Sequence, residues 1–257
     1  DHIGNFFMEW IELAPGQRGI LKDIFTSCPG LHGCIAAVLD GGMGTAFVDN
    51  SDQPTTSYMQ AGDFQIFAGE IIRGDFEGKF AGIIVVPKGE WEEFLRQTIG
   101  DRLRGFQRVA FAAGQWDRSY LQTQAQTLPD GFAISRIDDA DIAQYAELDG
   151  GFVGNFPNHA AFLQAGVGFC VKHDGQIVAG CSSYMISGDK LEIEINTRGD
   201  FRRRGLATAV AATMIDYCLA DGIEPCWDAA NEWSVGLAEK LGFIHPKAYN
   251  AYWVEPE

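Results

Sequence analysis

The chain has 257 residues, 46% of them hydrophobic and 12% aromatic, which is enough apolar side chain to bury a core and too much for long-range disorder. Its 19 Lys plus Arg stand against 35 Asp plus Glu, and the resulting formal charge of −16 repels nucleic-acid phosphate and anionic headgroups, which disfavours DNA binding and a membrane-surface role. No window approaches the ~20 apolar residues of a membrane helix, residues Asp1 to Asn5 lack the basic-then-apolar pattern of a secretory leader, and a soluble cytoplasmic protein of two domains is expected.

Gly19 to Thr26 reads as a short helix. From Cys34 to Val86 the chain gives short apolar runs broken by Gly, Asp and Asn: Cys34–Leu39, Thr45–Val48, Phe64–Phe67 and Gly82–Val86 are expected strands. The glycine-rich Asp40-Gly-Gly-Met-Gly-Thr45 leads into no helix, so it reads as a hairpin turn between two of them. Trp91, Phe94, Leu95 and Ile99 share one helical face, and Trp116 to Leu128 has helical spacing too. Between these helices Phe106 to Phe111 alternates as a strand, which denies the upstream Arg102-Leu-Arg-Gly105 the helix a phosphate motif requires. Pro129 and Gly131 then interrupt the pattern, and the domain boundary is placed there, giving units 1–129 and 130–257.

The second unit begins with a strand at Phe132 to Ile137 and a helix capped by Asp138 to Asp141 that runs to about Leu148. A short helix follows at Asn158 to Gln164. Two strands, 168–172 and 176–184, are joined by His173-Asp-Gly175, whose Asp-Gly pair signals a hairpin. A strand at Lys190 to Thr197 enters a long helix ending near Ala220, and a strand at Cys226 to Ala229, a helix from Asn231 to Leu241 and an apolar tail, 248–254, close the chain. The order is β-α-α-β-β-β-α-β-α-β, an α/β (α+β) fold on a mixed sheet.

The chemistry-bearing element is the junction between Thr197 and Thr208. Arg202-Arg203-Arg204-Gly205-Leu206-Ala207 sets a glycine and a small residue at a helix N-terminus, whose free N–H groups and positive dipole end favour a phosphate. Residues 131–257 hold nine Lys plus Arg against eighteen Asp plus Glu, yet Arg198, Arg202, Arg203 and Arg204 fall within seven residues. Such a concentration calls for an anionic ligand or a carboxylate cluster; the competing reading is a solvated basic turn. A Walker-type loop is excluded, because no Gly-Lys-Ser/Thr follows.

These residues resemble the GNAT acyltransferase superfamily. Arg202-x-x-Gly205-x-Ala207 matches its phosphate motif, and Asn231-Glu-Trp-Ser234 with Lys240-Leu-Gly-Phe243 matches its second signature. The wording Glu-Ile-Glu-Ile-x-Thr, Arg-Gly-Leu-Ala-Thr and Trp-Asp-Ala-Ala-Asn is similar to the bacterial two-domain subgroup, whose acyltransferase fold is C-terminal. The resemblance implies acetyl-coenzyme A in a V-shaped opening of the sheet. Ile195, Asn196 and Thr197 would lie along the pantetheine arm, 202–208 (Arg202, Arg203, Arg204, Gly205, Leu206, Ala207 and Thr208) would hold the pyrophosphate, and Asn231 and Ser234 would flank the cofactor. It also implies a helix tyrosine as general acid where this chain has Ala238, which leaves Tyr184, Tyr249, Tyr252 or water for that task.

Acetyl transfer to an amine needs chiefly positioning, plus a base for the ammonium. Glu192 and Glu194 share one face of their strand and are the base candidates; exposed or substrate-binding roles stay open for both. The cysteines at 28, 34, 170, 181, 218 and 226 form no C-x-x-C pair and read mostly as small core residues in a reducing compartment, and no metal site is expected. His159 and His173 lack partners at triad or ligand spacing and read as surface or cap residues. The expected activity is an acetyl-CoA-dependent N-acetyltransferase for a small-molecule or peptide amine, with a catalytically weak acyl-CoA-binding module as the rival and a homodimer as one possible assembly.

Overall fold

The computed structural model describes residues 8–72 and 79–256; the N-terminal stretch read above for a leader lies outside them. In chain order the elements are β1 (Ile11–Glu12), two 3₁₀ turns at Pro15–Leu21 and Ile24–Ser27, α1 (His32–Asp40), β2 (Thr45–Val48), β3 (Thr56–Ala61), β4 (Phe64–Gly69), β5 (Ile83–Val85), α2 (Glu90–Ile99), β6 (Leu103–Ala112) and α3 (Arg118–Ala125). They continue with β7 (Phe132–Arg136), α4 (Ile142–Leu148), α5 (His159–Ala165), β8 (Gly168–His173), β9 (Gln176–Ile186), β10 (Lys190–Thr197), α6 (Leu206–Ala220), β11 (Glu224–Cys226), β12 (Asp228–Ala229), α7 (Glu232–Lys240) and β13 (Ile244–Val254). Among the described residues no helix is long and apolar enough to cross a membrane.

Most expected elements form where local signals put them. Asn158 and Asn231 cap α5 and α7 by accepting the backbone N–H groups of Ala161 and Ser234. Asp174 and Gly175 turn the β8–β9 hairpin with φ of 49° and 74°, the left-handed pair that Asp-Gly favours.

Three readings are corrected. Cys34–Leu39 is helix, not strand: a short apolar run buried nearly all round has no period to read, and Ala36-Ala37 favours helix. The glycine-rich 40–45 segment therefore joins a helix to a strand rather than two strands, and buried Arg18 holds it by donating to the Met43 and Val38 carbonyls. The single strand expected over 226–229 is two, β11 and β12, which separate at Trp227 into different ladders.

Two compact units divide the chain, one built from 1–30, 38–108 and 248–257, the other from 31–37 and 109–247. By contacts the chain passes from one unit to the other at 108/109, and each unit borrows a segment distant in sequence. In the first unit β1 to β4 form an antiparallel run, β5 adds parallel to β4, and Tyr252 of β13 pairs with Ile84 of β5. Helix α2 buries Trp91 and Leu95 in a cluster with Tyr58, Phe67, Ile84 and Tyr252.

In the second unit β7, β8, β9 and β10 form an antiparallel sheet, and β11 joins β10 in parallel. The sheet separates two cores. One gathers Val171, Cys181, Leu191 and the apolar side of α6 with Leu121 of α3; the other holds Cys170, Ile177, Tyr145, Phe152 and Phe162 beneath α4 and α5. All six cysteines are buried thiols outside any disulfide.

Candidate active site

Strand β10 organises the site. Its odd residues, Leu191, Ile193 and Ile195, pack into the core under α6, and that alternation places Glu192, Glu194 and Asn196 on the opposite face. Opposite Glu192 stands Met185 and opposite Ile193 stands Ser183, so Tyr184 is an extra residue in β9 and the bulge leaves the order of faces along β10 intact. The ladder with β11 runs only from Lys190↔Glu224 to Glu192↔Cys226. Beyond it Ile193 to Thr197 pair with β9 alone, while Asp228 and Ala229 turn away to pair with Ala110 and Val109 of β6. The sheet therefore opens as a wedge with Glu192 at its apex, and one row of β10 backbone groups faces the gap.

The start of α1 seats at this apex. The buried Glu192 side chain, 4% exposed, accepts the Gly33 N–H on Oε2 at 2.9 Å, and Asp228 Oδ2 accepts the Leu31 N–H at 3.2 Å. Two carboxylates thus meet the free donors of a helix N-terminus, the end that favours negative charge. A Cβ on Gly33 would lie 2.7 Å from Glu192 Oε2 and 2.8 Å from its backbone nitrogen, so only glycine fits. Burial lowers the pKa of His32, with Asp228 opposing the shift, which favours a neutral imidazole beside these acids. Glu194 is half-buried, and its side chain approaches Gly151. Asn196 donates to Asp149 Oδ2 at 3.0 Å, and Asp149 in turn accepts the Gly151 N–H.

Past Thr197 the chain enters the arginine loop. Arg198 pairs with Asp200 through two 2.7 Å hydrogen bonds, which hold the Asp200 carboxyl below its ordinary range. Arg204 lies over the Phe201 ring and bonds the Asp200 carbonyl, and Arg202 Nε donates to the Thr197 carbonyl at 3.3 Å. Arg203 and Gly205 take positive φ, 62° and 78°. A Cβ on Gly205 would meet nothing within 4 Å, so the glycine answers to its left-handed backbone and not to crowding.

Helix α6 then begins with buried Leu206, Ala207 and Thr208. It carries neither a side-chain cap nor an acidic residue in its first turn. An uncapped 15-residue helix beside three exposed arginines, with open space at Gly205, has the donor set of an anion site. At the other helix, the Asn231 carboxamide is committed to capping α7 and the Ser234 hydroxyl accepts the Trp227 indole N–H at 3.0 Å.

The profile of the GNAT acetyltransferase family matches residues 25–252. The chain belongs to that family. A GCN5-related N-acetyltransferase-like protein from Streptococcus suis 89/1591 is similar to it with a TM-score of 0.83 and 32% identity, covering 95% of this chain and 100% of that one. The uncharacterized N-acetyltransferase YdfB of Bacillus subtilis (strain 168) is 28% identical over 262 residues, 94% of this chain and 97% of the relative. A tandem GNAT protein from the clavulanic acid biosynthesis pathway shares the fold with a TM-score of 0.60 at 11% identity, covering 97% and 99% of the two chains.

As a GNAT acetyltransferase the chain is an enzyme of acyl transfer, and members of its family generally use acetyl-coenzyme A. This GNAT chain departs from the family's tyrosine at Ala238, which is fully buried in the α6 core. Of the tyrosines weighed as replacements, Tyr252 donates its hydroxyl to Glu92 within the first unit, and burial together with that carboxylate raises its pKa. Tyr249 and Tyr184 are both buried. Gly33, Leu31 and Asp228 were invisible as site residues in sequence; the one available signal was Asp228, a lone acid inside an apolar strand.

Proposed function

We propose that the chain binds acetyl-coenzyme A at the β10–α6 junction and transfers the acetyl group to a primary amine of a small or cationic acceptor. The observation that carries this reading is the uncapped, arginine-flanked start of α6 at the end of a strand whose backbone is unpaired on one side. The residues present suit the coenzyme: α6 N–H groups with Arg202, Arg203 and Arg204 for its diphosphate, and the Ile193 to Thr197 backbone for its amide-bearing arm. When bound, the coenzyme supplies an already activated thioester. The protein's task is then to hold the amine at attack distance and take its proton.

Glu194 is the better base. The buried Glu192 carboxylate is engaged by Gly33 and fixes the wedge, whereas Glu194 sits nearer solvent on the same face of β10. With Ala238 in place of the family tyrosine, solvent meets the departing thiolate. Asn231 and Ser234 then contribute by holding α7 and Trp227 in place beside the wedge.

We also infer that the first unit is a degenerate GNAT-like half. In support, β2 to β5 repeat the pattern of β8 to β11, three antiparallel strands and then a parallel neighbour. The described residues between β4 and β5 contain no helix that would receive a phosphate.

The test is calorimetric titration with acetyl-coenzyme A followed by thiol release with a panel of amines. Glu194→Gln should retain binding while turnover falls ~10²- to 10⁴-fold and the rising limb of the pH–rate profile disappears. Binding without turnover on any amine favours the acyl-CoA-binding module; no binding refutes both.

A further inference from the structure

The sheet of the second unit satisfies its buried hydroxyls with one exception. Ser182 donates to the Phe152 carbonyl at 2.6 Å, and Ser183 accepts the Val167 N–H at 2.9 Å. Thr197, 7% exposed, has a hydroxyl with no hydrogen-bond partner among the described residues. By strand alternation this side chain follows Ile193 and Ile195 on the α6 face, and it stands opposite Ala179, another member of that core. Valine has the same shape and would complete the apolar row without burying an unpaired hydroxyl. The hydroxyl lies at the last residue before the arginine loop, on the face where the first turn of α6 packs. Two independent features therefore mark the same strand-to-helix junction: an uncapped helix N-terminus and an orphaned, buried donor.

We propose that the Thr197 hydroxyl is a ligand contact, donating a hydrogen bond to a phosphoryl oxygen of the coenzyme diphosphate; this rests on the coenzyme site proposed above. Arg202 holds the Thr197 carbonyl by a single 3.3 Å bond from an exposed side chain.

The experiment titrates coenzyme A and phosphate-free pantetheine into wild type, Thr197→Val and Thr197→Ser, and records the melting temperature of each ligand-free protein. Thr197→Val should melt no lower than wild type, bind coenzyme A about tenfold more weakly, roughly 1.4 kcal/mol, and bind pantetheine unchanged. Thr197→Ser, which keeps the hydroxyl, should bind coenzyme A within about threefold of wild type. Wild-type affinity in the valine variant overturns the contact while leaving the coenzyme site standing. A serine variant as weak as valine also overturns it, as does a valine variant that melts below wild type, because the hydroxyl then has a partner within the protein. Failure of wild type to bind coenzyme A removes the site itself and the contact with it.

Discussion

Replacing Gly33 with alanine tests the seat of α1 on β10. Glycine to alanine in a helix ordinarily gains about 0.5–1 kcal/mol. Here the added Cβ would sit 2.7 Å from Glu192 Oε2, 2.8 Å from the Glu192 nitrogen and 3.0 Å from its Cα. Swinging the carboxylate away relieves the first contact and leaves the two with backbone, so strand or helix must shift. Overpacking of that kind costs about 1–3 kcal/mol, and losing the buried Gly33 N–H bond to Glu192 costs about 1–3 more. The clash therefore outweighs propensity, and Gly33→Ala should be destabilised by about 2–5 kcal/mol. At roughly 2–4 °C per kcal/mol for a cooperative unit of this size, the melting temperature should fall by about 4–20 °C. Turnover should drop as well, because Glu192 is the last β10 residue paired with β11 and any shift there moves the apex of the wedge. Scanning calorimetry and a steady-state acetyl-transfer assay read the two effects. A variant that melts within 2 °C of wild type and keeps its turnover would falsify the contact between α1 and Glu192.

Changing Arg202 and Arg204 together to glutamine should weaken coenzyme A ~10- to 100-fold at low salt and leave pantetheine unaffected, with the difference shrinking as ionic strength rises; equal losses for both ligands would assign the arginines to the fold. A fragment comprising residues 130–257 should show no cooperative thermal transition by circular dichroism, since it lacks Leu31–Ala37, the Val109–Ala110 partners of β12, and α3. A sharp, reversible melt of that fragment would contradict the division into units. Arg118 Nε bonds Asp216 at 2.7 Å and lowers the carboxyl pKa, so the pair adds stability above the ordinary aspartate range near pH 4 and loses it as pH falls through the lowered value. Because Arg118 is 48% exposed, solvent screens the pair and its contribution is small. Arg118→Ala should lower the melting temperature slightly at pH 7 and progressively less as pH falls through the lowered carboxyl value; an equal loss throughout would assign it to packing.

What the sequence determined by itself was local. Strand β10 ends at Thr197 as read, α6 begins at the expected glycine, and the capping asparagines and the Asp-Gly hairpin stand where their side chains demand, because each depends on residues within a few positions. Strand β3 escaped notice for a physical reason: its buried Thr56 and Ser57 look polar until their hydroxyls find the Ala68 and Phe47 carbonyls of neighbouring strands. The same limit hid the helix at 32–40, whose apolar residues carry no period, and the parting of β11 from β12 at Trp227, which depends on partners more than thirty residues away. Strand alternation likewise put Glu192 and Glu194 on one face as equals. Only the fold separates them, by bringing the amide of Gly33 across 159 positions to Glu192 and leaving Glu194 nearer solvent, since which donor meets a carboxylate is decided by packing between distant segments and not by periodicity within one.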